Sequence, residues 1–109
     1  MRDLEYGYKL WMVNEKKEAV FGDGIADLLE AIDRRHSLLM AAKDLRMSYR
    51  YALHRISLAE KRLGQSLVTR VHGGANGGGS SEVTDFGREL VKRYRYAQAE
   101  ICKALEKIP

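Results

Sequence analysis

Apolar residues recur along this chain with two different periods, and the changes of period mark out its elements. Tyr8–Val13 (YKLWMV) is aromatic and apolar, Asn14–Lys17 is a polar turn, and Glu18–Phe21 resumes an extended pattern, which predicts a β-hairpin over 8–21. Gly22-Asp23-Gly24 interrupts that pattern, with Asp23 as the expected N-cap of a helix. Ile25, Leu28, Leu29 and Ile32 then fall at i, i+3, i+4 and i+7, the signature of an amphipathic helix. Its other face carries Asp27, Glu30 and Asp33, which would repel a polyanion, so this helix reads as scaffold.

A second, shorter helix opens at Ser37 and turns Leu38, Ala41, Ala42 and Leu45 inward. The paired alanines suit two helices that cross closely. Arg46 and Met47 form the connection, and Ser48 caps a third helix. That helix places Tyr49, Ala52, Leu53, Ile56, Glu60 and Leu63 along one side and stops at Gly64. Residues 24–64 therefore predict three helices, the last two forming a helix-turn-helix. At about 100° per residue, the opposite side of the third helix shows Arg50, Tyr51, His54 and Leu58, with Ser48 and Arg55 at its edge. Guanidinium, phenol, imidazole and hydroxyl groups are those that hydrogen-bond base edges and phosphates.

Beyond Gly64, Leu67–Val71 (LVTRV) reads as a strand and Glu82–Thr84 as its returning partner, so 67–84 predicts a wing. Its tip, HGGANGGGSS (His72–Ser81), contains Gly73, Gly74, Gly77, Gly78 and Gly79, where bare backbone amides can approach phosphates without a side-chain clash. Thr84 caps a final helix over 85–107. There Phe86, Leu90, Tyr94, Ala97, Ile101, Leu105 and Ile108 form a seam longer than a small core needs, which points to an interface between helices of two copies. The fold class expected is mainly α with small β: a winged helix-turn-helix with a long C-terminal dimerisation helix, all within residues 1–109.

Charge sharpens this picture. The chain has a net charge of only +4, but residues 34–72 hold nine Lys and Arg against Asp44 and Glu60, a local balance of +7 that leaves −3 for the rest. Such asymmetry is the footprint of a surface that meets a polyanion. With 109 residues, 45% hydrophobic and 31% charged, the chain fits one globular domain. No apolar run approaches the roughly 20 residues of a membrane span, and the acidic start MRDLEYGYKLW lacks a signal-peptide core, so a cytoplasmic address with no membrane partner is expected. Cys102 stands alone and cannot form an intrachain disulfide or a thiolate metal site.

Other chemistries find little support. His36, His54 and His72 fall on different elements without i, i+4 spacing, so no metal is expected, and no nucleophile–base constellation appears. Gly73-x4-Gly78-Gly79-Ser80 approaches the P-loop pattern, but Gly79 occupies the lysine position and a strand comes next instead of a helix. Gly22-x-Gly24 falls short of a dinucleotide fingerprint, with Asp27 in place of the last glycine. No enzyme activity and no cofactor are expected.

At FGDGIADLLEAID, SLLMAAKDLRMSYRYAL and LGQSLVTRVHGGANGGGSSEVTDFG the sequence resembles the N-terminal DNA-binding domain of ModE-type, LysR-related molybdate-dependent transcriptional regulators. The resemblance covers about Trp11 to Tyr96. It implies a dimeric regulator whose recognition helix enters the major groove of double-stranded DNA while the wing meets the flanking backbone. Ser48, Tyr49 and Arg50 match the family's signature at the start of that helix. Arg70 and the glycines at 73, 74, 77, 78 and 79 match the wing, and Thr84 and Gly87 match the start of the closing helix. Three positions depart from the pattern: His36 and Arg46 stand where members usually have glycine, and Leu53 replaces a common tryptophan.

The site expected from the residues and the resemblance together is Ser48, Tyr49, Arg50, Tyr51, His54, Arg55, Arg70 and the wing glycines for DNA. Leu90, Tyr94, Ala97, Ile101, Leu105 and Ile108 are expected at a homodimer interface. Full-length members append small oxyanion-binding β-barrels for which these 109 residues leave no room. Molybdate sensing is therefore not carried over, and a separate oxyanion-sensing protein is the partner that would supply it. The competing reading is a protein-interaction adaptor, since winged helices also serve as dimerisation modules that bind no DNA.

Overall fold

In a computed structural model, residues 3–71 and 80–109 are described. Two antiparallel hairpins bracket three helices, and a fourth helix closes the chain. The order is β1 (Trp11–Val13), β2 (Ala19–Gly22), α1 (Asp23–Arg35), α2 (Leu38–Asp44), α3 (Tyr49–Leu63), β3 (Val68–Val71), β4 (Ser80–Val83) and α4 (Asp85–Glu106). The hairpins form separate two-stranded sheets, β1–β2 and β3–β4.

Side-chain caps set most of the boundaries. The hydroxyls of Ser37, Ser48 and Thr84 accept from the amides of Met40, Tyr51 and Gly87, satisfying donors that a helix start leaves orphaned. The first helix departs from expectation. Its N-cap is Gly22, without a side-chain bond, because β2 runs through Gly22 and Asp23 is already helical. At the far end of α3, Gly64 takes φ 74°, and its amide bonds the Glu60 carbonyl.

His36 and Arg46 also adopt left-handed backbone, with φ 55° and 58°. These are the two positions at which the resembled pattern has glycine. The requirement for a left-handed turn persists at both while a side chain tolerates it.

The core runs through α1, whose Ile25, Ala26, Leu28, Leu29, Ala31 and Ile32 are buried. Against it lie Ala41 and Ala42 of α2, Ala52, Ile56 and Ala59 of α3, Val20 and Phe21 of β2, and Leu90 and Tyr94 of α4. The small side chains at 41, 42 and 52 are fully covered, which allows the helix-turn-helix its close crossing. Tyr49 is exposed, contrary to the inward row expected for it, while Ala52 in the same turn of α3 is fully buried.

The C-terminal helix divides in two. Its first half packs into the core: Tyr94 is 1% exposed, meets Phe21 edge to face at 5.7 Å, and donates its hydroxyl to the Leu10 carbonyl at 2.8 Å. Leu90 and Tyr94 therefore belong to the monomer core and are not available to a dimer interface, a correction to the sequence expectation. The reason is spatial: α1 and the β1–β2 hairpin fill the side of α4 on which those residues lie. The second half runs on past the core, and the radius of gyration of 16.2 Å exceeds the roughly 13 Å of a compact domain this long. There Ala97, Ile101 and Leu105 are half-covered and Ile108 is exposed.

Candidate nucleic-acid interface

The outward face of α3 is built by what its inner face must bury. Ala52, Ile56 and Ala59 point into the core, so residues on the opposite arc have nowhere to go but solvent. Arg50, Tyr51, His54 and Arg55 are all exposed. Ser48 directs its hydroxyl at the Tyr51 amide, 3.0 Å away, and so sets where the helix begins. Tyr51 and Arg55, one turn apart, form a pair: the guanidinium lies 5.9 Å from the ring centroid and donates to the phenol oxygen at 3.4 Å. Such stacking orders a long side chain before any partner arrives.

The electrostatics of this face are set by where the acids are held. Both acids of the basic segment are engaged: Asp44 pairs with Arg35 at 3.4 Å, and the Glu60 carboxylate accepts from the amides of Leu67 and Val68 at 2.7 and 3.2 Å. Among the described residues, Arg50, Arg55, Lys61 and Arg70 form no ion pair. The acidic face of α1 is turned to α4 instead, where Arg95 meets Asp23, Asp27 and Glu30 and Arg88 meets Asp33. The acidic face of α1 is thus neutralised away from α3, and Arg50, Arg55 and Lys61 of α3 face solvent.

Of the expected wing contacts, Arg70 is exposed on β3, which pairs in register with β4 from Val68 opposite Val83. Gly73, Gly74, Gly77, Gly78 and Gly79 lie outside the described residues. The base of the wing is anchored to the helix-turn-helix. Ser81 donates its amide to the His36 carbonyl and accepts the Leu38 amide on its hydroxyl, while the His36 ring lies 3.0 Å from the Glu82 carboxylate. A glycine would not supply that last contact.

Gly87 has a packing reason for its place. A Cβ there would come within 2.8 Å of the Leu67 carbonyl oxygen and of a Val83 methyl group, so only glycine lets α4 start this close to the wing.

Sequence reasoning missed the role of the β1–β2 hairpin beside α3. Arg62 donates to the Ala19 carbonyl at 2.8 Å and approaches Glu18 at 3.8 Å, and Asn14 donates to the same carboxylate at 2.9 Å. The Asn14 bond, with Arg62 and nearby lysines, holds the Glu18 carboxyl below its usual range. The one signal in the sequence was the tryptophan in YKLWMV, which stands exposed. Among the described residues, no group of His, Cys, Asp and Glu could hold a metal ion, and no helix is long and apolar enough to cross a membrane.

Known proteins resemble this chain in sequence and in fold. No protein-family model matches it. It is 41% identical over 81 residues to the molybdenum transport protein ModE of Azotobacter vinelandii, which covers 74% of this chain and 30% of that protein. It is 32% identical over 94 residues to the molybdenum-pterin-binding protein MopB of Rhodobacter capsulatus, covering 86% of this chain and 34% of that protein. The chain thus spans about a third of the length of these relatives. Its fold superposes on the crystal structure of ArgP from Mycobacterium tuberculosis with a TM-score of 0.56 at 22% identity, over 78% of this chain and 30% of that one. In sequence the chain is thus similar to ModE and MopB over about a third of their length, and its fold is a winged helix-turn-helix.

Proposed function

We propose that this domain is the DNA-binding part of a transcriptional regulator and acts as a homodimer on a palindromic operator. The observation that carries this reading is the exposed strip Arg50, Tyr51, His54 and Arg55 on α3, which no acid side chain opposes among the described residues. Arg50 and His54 would meet base edges, the stacked Tyr51–Arg55 pair would span a base and a phosphate, and Ser48 and Tyr49 would seat the helix start. Arg70 and the wing glycines would touch the flanking backbone. The mechanism is binding, with no chemical step.

The second copy would pack along the projecting half of α4, through Ala97, Ile101, Leu105 and Ile108. Two-fold symmetry then places half-sites about 34 Å apart, or a multiple of that. The two relatives carry molybdenum in their names, and an oxyanion-sensing unit, in the same protein or in a partner, would couple this domain to such a signal.

Selection of bound sequences from a random duplex pool tests the reading, and salt-dependent binding quantifies it. A palindromic consensus, with affinity weakened at least tenfold by Arg50→Ala and by Arg55→Ala, supports it. Absence of binding even at low salt overturns it in favour of an adaptor that dimerises without DNA.

A further inference from the structure

The β1–β2 hairpin lies along one edge of α3, and the wing begins on the other. On the first edge, Arg62 bonds the Ala19 carbonyl, and a groove of about 390 Å³ runs between Trp11 with β2 and the side chains of Tyr51, His54 and Arg55. On the second, Glu60 receives the amides that open β3. Glu60 and Arg62 are two residues apart, about 200° around the helix. The two hairpins therefore border opposite edges, and Arg50, His54 and Lys61 lie on the strip between them.

Size makes this arrangement consequential. A helix with its side chains is about 10–12 Å across and the major groove is about 12 Å wide. With α3 in the groove, any element bordering the helix is brought against the phosphates of the groove wall on its own side. The edge that β1–β2 presents suits such a wall. Glu15 and Lys16 stand at the centre of its turn with Lys17 beside them, all three exposed, and Lys16 shares a depression with Glu15 and Lys61. Glu18 is already held by Asn14 and Arg62. Trp11 stands 55% exposed on a strand paired only with β2, its indole N–H making no hydrogen bond among the described residues.

We propose that β1–β2 is a second, backbone-contacting wing, meeting DNA phosphates on the edge of α3 opposite β3–β4 through Lys16, Lys17 and Trp11. The inference rests on the DNA-binding reading of α3. Lys16 and Lys17 supply point charges, the indole supplies a neutral donor, and none of the three reads sequence.

The test uses the full chain and a labelled mixed-sequence duplex over a range of salt concentrations. Lys16→Ala with Lys17→Asn removes two exposed charges, and asparagine tolerates the φ of 66° at residue 17. This double variant should keep its sequence preference while the slope of log affinity against log salt falls by about 1.8, the contribution of two phosphates. Trp11 is the sole tryptophan, so its quenching by acrylamide reports this surface directly and should fall when DNA saturates the protein. An unchanged slope, with Trp11 as quenchable in the complex as in the free protein, overturns the second wing and leaves the α3 reading standing. No binding by the unmodified chain at low salt overturns both.

Discussion

Arg95 in α4 reaches Glu30 in α1 at 2.7 Å, and the same guanidinium meets Asp27 at 2.6 Å and Asp23 at 3.0 Å. One cation thus organises the acidic face of the first helix and fixes the angle at which the last helix leaves the core. The Glu30 hydrogen bond, opposed by partial burial and aided by Asp27 and Asp23, holds the guanidinium's pKa above its ordinary value. Arg95→Met should lower stability by about 1–2 kcal/mol, discounted from a buried charged network because the carboxylates are half exposed. The midpoint of urea unfolding, at unchanged slope, measures it.

Gly87 allows no side chain. With a carbonyl oxygen and a methyl group both 2.8 Å from any added Cβ, Gly87→Ala must displace backbone at the wing base. A loss of about 1–3 kcal/mol is expected from such overpacking, despite alanine's better helix propensity. A thermal midpoint equal to or above that of the parent would refute the packing account.

The left-handed Arg46 invites the opposite change. Relieving its strain is worth about 1–2 kcal/mol, while glycine's extra freedom in the unfolded chain costs about 0.4–1 kcal/mol. Arg46→Gly should therefore stabilise by between about 0 and about 1.6 kcal/mol. His36→Gly should gain less, because it also removes the contact to Glu82. Denaturant titration of the two variants side by side orders them.

Tyr94 makes stability fall at alkaline pH. Burial, followed by the charge of Asp23, pushes its pKa above the ordinary value near 10. A raised folded-state pKa means that its stabilising contribution is complete below the unfolded value and is lost as pH rises through the folded one. Tyr94→Phe should lower stability by about 1 kcal/mol at neutral pH, through the lost bond to Leu10, and flatten the decline above pH 10. Parallel declines in both proteins would remove Tyr94 as the cause.

Ile101 and Leu105 lie on the part of α4 beyond the core. If the second copy packs there, replacing both by glutamate should give a folded monomer with weakened DNA affinity. Light scattering reads the mass and circular dichroism the fold. A dimer that survives the double replacement places the interface elsewhere.

Much of this architecture was legible in local chemistry. Ser37, Ser48, Thr84 and Gly64 announced helix ends because caps act within a single turn. The spacing of Ile25, Leu28, Leu29 and Ile32 announced a buried face because periodicity is a property of one helix. The exposed face of α3 came from the same geometry, taken from the other side. Glycine's absence at residues 36 and 46 hid no feature of the backbone, since the turns kept their left-handed form. What sequence left open lay between elements. The heptad-like seam of α4 gave no sign of where the core would stop, and only packing against α1 and β2 assigned Leu90 and Tyr94 to the monomer. Asp27, Glu30 and Asp33 read as a repelling face, and it is Arg95 and Arg88, more than fifty residues away, that neutralise it. Trp11 beside α3 was equally invisible. Caps and periods are local and therefore written in the chain. Partners across a core depend on how helices cross, which only the folded whole decides.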